Sequence, residues 1–265
     1  MDHNELINQI TSEVMKRLQV EMQKRGGQLG SVGGGGQFSG ADPASLAKYI
    51  DHTMLKPEAP LAAFDKLCDE AVQYGFKSVC VNSFRVPYVT RKLQNTGVKI
   101  CAVIGFPLGA MDSRAKAFEA RRAIEEGAQE LDMVINVGAL KSGDLKYVED
   151  DIRAVRRATR GTTVLKVIIE TFLLTEEEKV LACEISKKAG ADFVKTCTGF
   201  AGGGATPEDI ALMRRVVGPD MGVKASGGVR NYDKAVLLLN AGASRIGCVS
   251  SVPIVTGVRA EGEGY

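Results

Sequence analysis

From Ala41 onward, short apolar and β-branched runs alternate with amphipathic stretches. The runs fall at 49–53, 78–82, 99–105, 130–136, 164–170, 193–197, 222–226 and 244–248. Their length suits strands, and their near-continuous apolar character suits a parallel sheet covered on both faces. Between them, 61–74, 87–94, 113–126, 145–159, 176–188, 207–216 and 232–240 carry apolar residues at helical spacing, and a short stretch near 250–258 follows. Gly75, Gly127, Gly161, Gly190 and Gly242 stand just past helix ends, and Thr175 and Thr206 at helix starts, positions those residues favour. Eight strand-then-helix units predict an α/β fold, the (β/α)8 TIM barrel, over 41–265. The alternative is a doubly wound open sheet. It ordinarily places a G-x-G-x-x-G turn after the first strand, where this chain has Asp51-His52-Thr53-Met54-Leu55-Lys56-Pro57.

Ahead of the barrel, Leu6, Ile10, Val14 and Leu18 recur every four residues, with Ile7 and Met22 beside them, so 1–24 predicts an amphipathic helix with a narrow apolar face. Residues 25–40, R-G-G-Q-L-G-S-V-G-G-G-G-Q-F-S-G, form a Gly-rich flexible linker. A helix on such a tether is expected to offer its apolar face to a partner. Docking back on its own domain, or pairing with a second copy, are the alternatives.

Strand residues alternate between lumen and helix layer, so each run can be split into two faces. Leu131, Met133, Leu165, Val167, Val194, Val223 and Ala225 make the apolar faces. The opposite faces send Asp132, Lys166, Lys195 and Lys224 into one lumen from four neighbouring strands, and the same count adds Asp51, Thr53, Cys80 and Asn82. Ammonium groups crowded into a low dielectric repel one another, and burial disfavours the charged form. One lysine is therefore expected to give up its proton and become a nucleophile toward a carbonyl. Asp132, with Asp51 or Glu170, would hold the others charged. A structural ion-pair network is the competing reading of such lysines.

The loops after the late strands are rich in glycine: Gly199 with Gly202-Gly203-Gly204, then Gly227-Gly228, then Gly247 followed by Ser250-Ser251. Bare N–H groups and hydroxyls at this end of a barrel suit a phosphate, so a phosphorylated carbonyl compound is expected. Composition removes several other classes. The 34 Lys+Arg against 32 Asp+Glu give no charge excess for nucleic acid or an anionic membrane surface, and no run approaches the 18 apolar residues of a membrane span. The six cysteines show no C-x-x-C spacing and read as reduced thiols. With only His3 and His52, neither a multi-imidazole zinc site nor a Ser-His-Asp triad is readily built. His52 beside a strand reads as a hydrogen-bonded structural residue.

The motifs I-D-H-T-M-L-K-P (50–57), V-C-V-N (79–82), G-F-P-L-G (105–109), E-L-D-M-V-I-N-V-G-A-L-K-S-G-D (130–144), L-K-V-I-I-E-T (165–171), A-D-F-V-K-T-C-T-G-F (191–200) and V-K-A-S-G-G-V-R (223–230) resemble the deoxyribose-phosphate aldolases. The resemblance runs in order from about residue 44 to the C-terminus. It implies reversible cleavage of 2-deoxy-D-ribose 5-phosphate to D-glyceraldehyde 3-phosphate and acetaldehyde through a lysine Schiff base, with no metal or other cofactor. It puts the Schiff-base lysine at Lys195, the second essential lysine at Lys224 and the proton-relay aspartate at Asp132. Lys166 falls in the same polar network. Asp51, Thr53, Cys80 and Thr198 match positions near the substrate, Gly227, Gly228, Gly247 and Ser250 the phosphate turns, and Tyr265 a C-terminal tyrosine that folds over the site. One departure is Val249, where the family commonly has the first serine of G-x-S-S-G. It leaves phosphate to Ser250 and the glycines, with Arg230 or Arg245 as compensating cations, or leaves the grip weaker. It also keeps an aldolase for another sugar phosphate in play, beside the more distant reading of a catalytically silent barrel acting as a scaffold. Residues 1–40 resemble the encapsulation peptides that target enzymes into bacterial microcompartments, which implies a cytoplasmic cargo enzyme meeting a shell protein through residues 1–24. A homodimer or higher homo-oligomer is expected.

Overall fold

The computed structural model describes residues 42–159 and 162–257. The expected helix at 1–24, the linker at 25–40, Gly161 and Tyr265 lie outside those residues. Eight parallel strands close into a barrel in chain order: β1 (Ile50–Met54), β2 (Ser78–Asn82), β3 (Lys99–Ile104), β4 (Glu130–Val134), β5 (Val164–Ile168), β6 (Phe193–Lys195), β7 (Gly222–Ser226) and β8 (Arg245–Cys248). The closing seam pairs Asp51 of β1 with Gly247 of β8.

The helices are α1 (Leu61–Tyr74), α2 (Val86–Lys92), α3 (Ser113–Glu125), α4 (Val137–Lys141), α5 (Leu145–Ala158), α6 (Glu176–Lys188), α7 (Pro207–Val217), α8 (Tyr232–Asn240) and α9 (Ser251–Thr256). Their starts follow local chemistry. Thr175 and Glu178 form a reciprocal capping box at α6, and Thr206 accepts from Asp209 N at α7. Short elements had no periodic signature: the 3-10 turns at Pro43–Tyr49, Ser83–Arg85 and Thr171–Leu173, and the single-turn α4. The last of these shortens the strand before it, since Asn136 leaves the sheet to cap Ala139 N at 3.0 Å.

The two-residue alternation holds around the barrel. Ile50, Val79, Ile100, Leu131, Met133, Leu165, Val167, Val194, Val223 and Ile246 belong to the large core beneath the helices. Inside the lumen, Cys80, Cys101 and Val103 form a small apolar group with Leu55. His52 faces outward, where its ring nitrogens meet Ser251 Oγ at 2.9 Å and Glu70 Oε2 at 2.8 Å. That contact ties β1 to α9 and α1, the structural role expected of it.

Candidate active site

Register delivers the polar lumen residues in adjacent pairs. Asp132 lies beside Lys166 on β4 and β5, and Lys195 lies beside Lys224 on β6 and β7. The side chains converge on one carboxylate. Asp132 Oδ2 is 2.7 Å from Lys195 Nζ and 2.7 Å from Lys224 Nζ, while Oδ1 is 2.8 Å from Lys166 Nζ. Below this junction, Lys224 reaches Asp51 Oδ2 at 2.5 Å and Lys166 reaches Glu130 Oε2 at 2.6 Å. Arg245 closes the network at 2.7 Å from Asp51 Oδ1 and 2.9 Å from Glu130 Oε2.

Burial opposes the charges of Asp132, Asp51, Lys166, Lys224 and Arg245, yet their partners outweigh it. Desolvation would raise the Asp132 carboxyl, but the ammonium groups of Lys166, Lys195 and Lys224 hold it well below the usual carboxylate range. Asp51 behaves likewise under Lys224, Lys166 and Arg245. Burial works against the cationic forms of Lys166 and Lys224, but Asp132 and the neighbouring carboxylates raise both above the ordinary lysine value. Both lysines are therefore held protonated. Lys195 has a single carboxylate contact, Asp132, among the described residues.

Two expectations about this network need correcting. Glu170 is not among its counter-charges; Glu130 takes that place, two residues before Asp132 on the same face of β4. Arg245 does not turn toward a phosphate either, because Asp51 and Glu130 hold it in the lumen beneath the lysines.

Above Lys195 an open cavity lies at the C-terminal ends of β6, β7, β8 and β1. Of the residues expected at the site, Lys195, Thr53, Thr198, Gly227, Gly228, Gly247 and Ser250 line it. Asp51, Asp132, Lys166, Lys224 and Cys80 are fully buried and do not line it. Lys195 is thus the lysine of the network that the cavity reaches. Gly247 must be bare: a Cβ there would stand 2.3 Å from Ser226 Oγ and 2.8 Å from Lys224 Cε, blocking the path of Lys224 to Asp132. The glycines at 203 and 204 have a packing role instead of the ligand-binding one expected of them. A Cβ on Gly203 would lie 2.2 Å from Phe172, and one on Gly204 2.6 Å from Gly227 O.

The wall holds residues that sequence reasoning had not singled out, among them Leu55, Ser226 and Val229, alongside Arg230 and Val249 near the mouth. Ser226 Oγ is buried without a hydrogen-bond partner among the described residues. The one trio of potential metal ligands among the described residues is Cys80, Cys101 and Asp132, whose ligand atoms lie within 4.8 Å of one another. Three ammonium groups already surround its carboxylate, which makes it a poor seat for a further cation. The arrangement places a lysine amine at the cavity, a carboxylate beside it and glycines around it.

A family model described as DeoC/LacD family aldolase matches residues 45–252. The chain is 60% identical over 221 residues to a deoxyribose-phosphate aldolase of Brevibacillus brevis, covering 83% of this chain and 100% of that one. It is 59% identical over 218 residues to one from Thermococcus gammatolerans, covering 81% and 96%. Among solved structures, the tetrameric deoxyribose phosphate aldolase from Aeropyrum pernix superposes with a TM-score of 0.77 at 36% identity, covering 82% of this chain and 92% of that one.

Proposed function

Because the chain belongs to the DeoC/LacD family of aldolases, we propose that Lys195 forms the Schiff base, with Asp132 moving protons and Lys224 holding Asp132 in place. The reaction is the reversible aldol cleavage of 2-deoxy-D-ribose 5-phosphate to D-glyceraldehyde 3-phosphate and acetaldehyde through a lysine Schiff base. The observation that carries the residue assignment is the single oxygen, Asp132 Oδ2, in contact with both Lys195 and Lys224, of which Lys195 alone lines the cavity.

Neutral Lys195 Nζ adds to the C1 aldehyde of the open-chain sugar. Asp132, directly or through water, returns a proton to the carbinolamine oxygen so that water leaves and a protonated imine remains. The imine is an electron sink. The C3 hydroxyl gives its proton to the Asp132 carboxylate, directly or through water, the C2–C3 bond breaks toward the imine, and D-glyceraldehyde 3-phosphate departs. The enamine left behind is protonated at C2 and hydrolysed to acetaldehyde and free Lys195. Lys166 and Lys224, kept charged, maintain Asp132 as a carboxylate ready to accept the next proton. Backbone N–H groups at Gly227, Gly228 and Gly247, with Ser250 and Arg230, suit the 5-phosphate, while Thr53 and Thr198 line the path to it. Tyr265 would close over the mouth from the C-terminus.

Borohydride reduction in the presence of acetaldehyde, followed by peptide mass mapping, should add a two-carbon unit to Lys195. Labelling of Lys166 instead would overturn the assignment. Val249 at the mouth favours a second reading, an aldolase for another sugar phosphate, which a comparison of related sugar phosphates as substrates separates from the first. Residues 1–24 are further proposed to carry the enzyme to a microcompartment shell protein in the cytoplasm, and the barrel to assemble into a homodimer or larger homo-oligomer.

A further inference from the structure

Glu170 stands just past the end of β5, where the alternation of faces would send it into the lumen. It goes elsewhere. Ile169 N donates to Lys195 O at 3.0 Å and Thr171 N to Thr196 O at 3.1 Å, so acceptors one residue apart on one segment serve donors two residues apart on its neighbour. Glu170 is the extra residue, with φ 58° and ψ 64°, the left-handed region that a residue with a Cβ adopts only at a cost. The kink acts as a bulge, a device that re-aims a side chain beside a site.

Its new target is Thr198. Glu170 Oε2 accepts from Thr198 N at 3.1 Å and from Thr198 Oγ1 at 2.5 Å. Glu170 is 3% exposed, and its Oε1 has no hydrogen-bond partner among the described residues. A buried carboxylate left half-satisfied on a strained backbone destabilises the fold twice over, and such strain collects at functional sites. The gain falls on Thr198, which lines the cavity with Lys195. Its only hydroxyl proton is donated to Glu170 and one lone pair takes Phe200 N at 3.0 Å. A hydroxyl has two lone pairs, so Thr198 can offer the cavity only an acceptor.

We propose that Glu170 is a positioning residue that fixes Thr198 as a hydrogen-bond acceptor for a hydroxyl on the C3–C5 fragment of the substrate. This rests on the aldolase reading and adds a reason why a hydroxylated chain is preferred over an apolar one in the cavity.

Acetaldehyde alone tests it, because it engages Lys195 but carries no C3–C5 fragment. Glu170→Gln can donate to Thr198 and free its proton to rotate; Thr198→Val removes the acceptor. Each should lower kcat/KM for 2-deoxyribose 5-phosphate about tenfold, the worth of one well-placed hydrogen bond. In Glu170→Gln, deuterium exchange at the acetaldehyde methyl group in D2O should stay within about twofold of wild type, and for 2-deoxyribose 5-phosphate the double variant should be no worse than either single one. Glu170→Gln lowering both reactions equally, or neither, overturns the inference. Wild-type exchange and the trapped Lys195 adduct test the Schiff-base reading separately.

Discussion

Lys224 meets Asp132 at 2.7 Å on the very oxygen that Lys195 contacts, so two ammonium groups, one of them the proposed nucleophile, share a single carboxylate oxygen. Replacing that carboxylate by an amide, Asp132→Asn, keeps the shape and removes the proton acceptor. Steady-state cleavage of 2-deoxyribose 5-phosphate should fall about 10²–10⁴-fold, the usual range for a general acid–base group. A fall below threefold would remove Asp132 from the chemistry.

Arg245 separates stability from binding. It is buried against Asp51 and Glu130, so Arg245→Met takes a shared cation from two buried carboxylates, leaving each with lysine as its remaining cation, and should cost about 3 kcal/mol in urea unfolding. KM should hardly move. A raised KM at unchanged stability would return Arg245 to the phosphate.

Val249 stands at the cavity mouth between Cys248 and Ser250. Val249→Ser should lower KM for 2-deoxyribose 5-phosphate about 3–10-fold, the worth of one added hydrogen bond, and leave unphosphorylated deoxyribose unaffected. An equal gain with both sugars would place the new hydroxyl away from the phosphate.

The depressed carboxylates set a pH dependence of known sign. Asp51 and Asp132 titrate lower folded than unfolded, so their stabilisation is complete above the unfolded value, about 4, and is lost as pH falls through the folded values. Lys166 and Lys224 titrate higher when folded, so their contribution is complete below about 10.4 and is lost only above it. Urea unfolding between pH 3 and pH 6 should show stability dropping below about pH 4, with a shallower drop in Asp51→Asn. An equally steep decline in that variant would assign the acid sensitivity to other groups.

A fluorescent protein fused to residues 1–24 should concentrate with microcompartment shell proteins when the two are co-expressed. Uniform fluorescence would remove the targeting role.

Much of this architecture was legible because a closed barrel has only two faces per strand. Leu131, Met133, Leu165 and Val167 announced the outer face, and the same count placed Asp132, Lys166, Lys195 and Lys224 together. Glu130 and Arg245 obeyed the same period, two residues before Asp132 and Gly247, yet Glu130 was not singled out and Arg245 was offered to the phosphate, because period alone does not say which partner a buried charge takes. Gly203 and Gly204 misled because a bare backbone serves close packing as readily as ligand contact, and only the neighbours Phe172 and Gly227 decide which. Glu170 broke the count itself: a one-residue bulge leaves no mark in a pattern of apolar positions.

The seam between β8 and β1 has a consequence for synthesis. Asp51 and Arg245, 194 positions apart, meet only when the last strand docks on the first. A chain still being translated therefore carries Asp51 and Glu130 without the arginine that bridges them, and the polar lumen is complete only once β8 has left the ribosome.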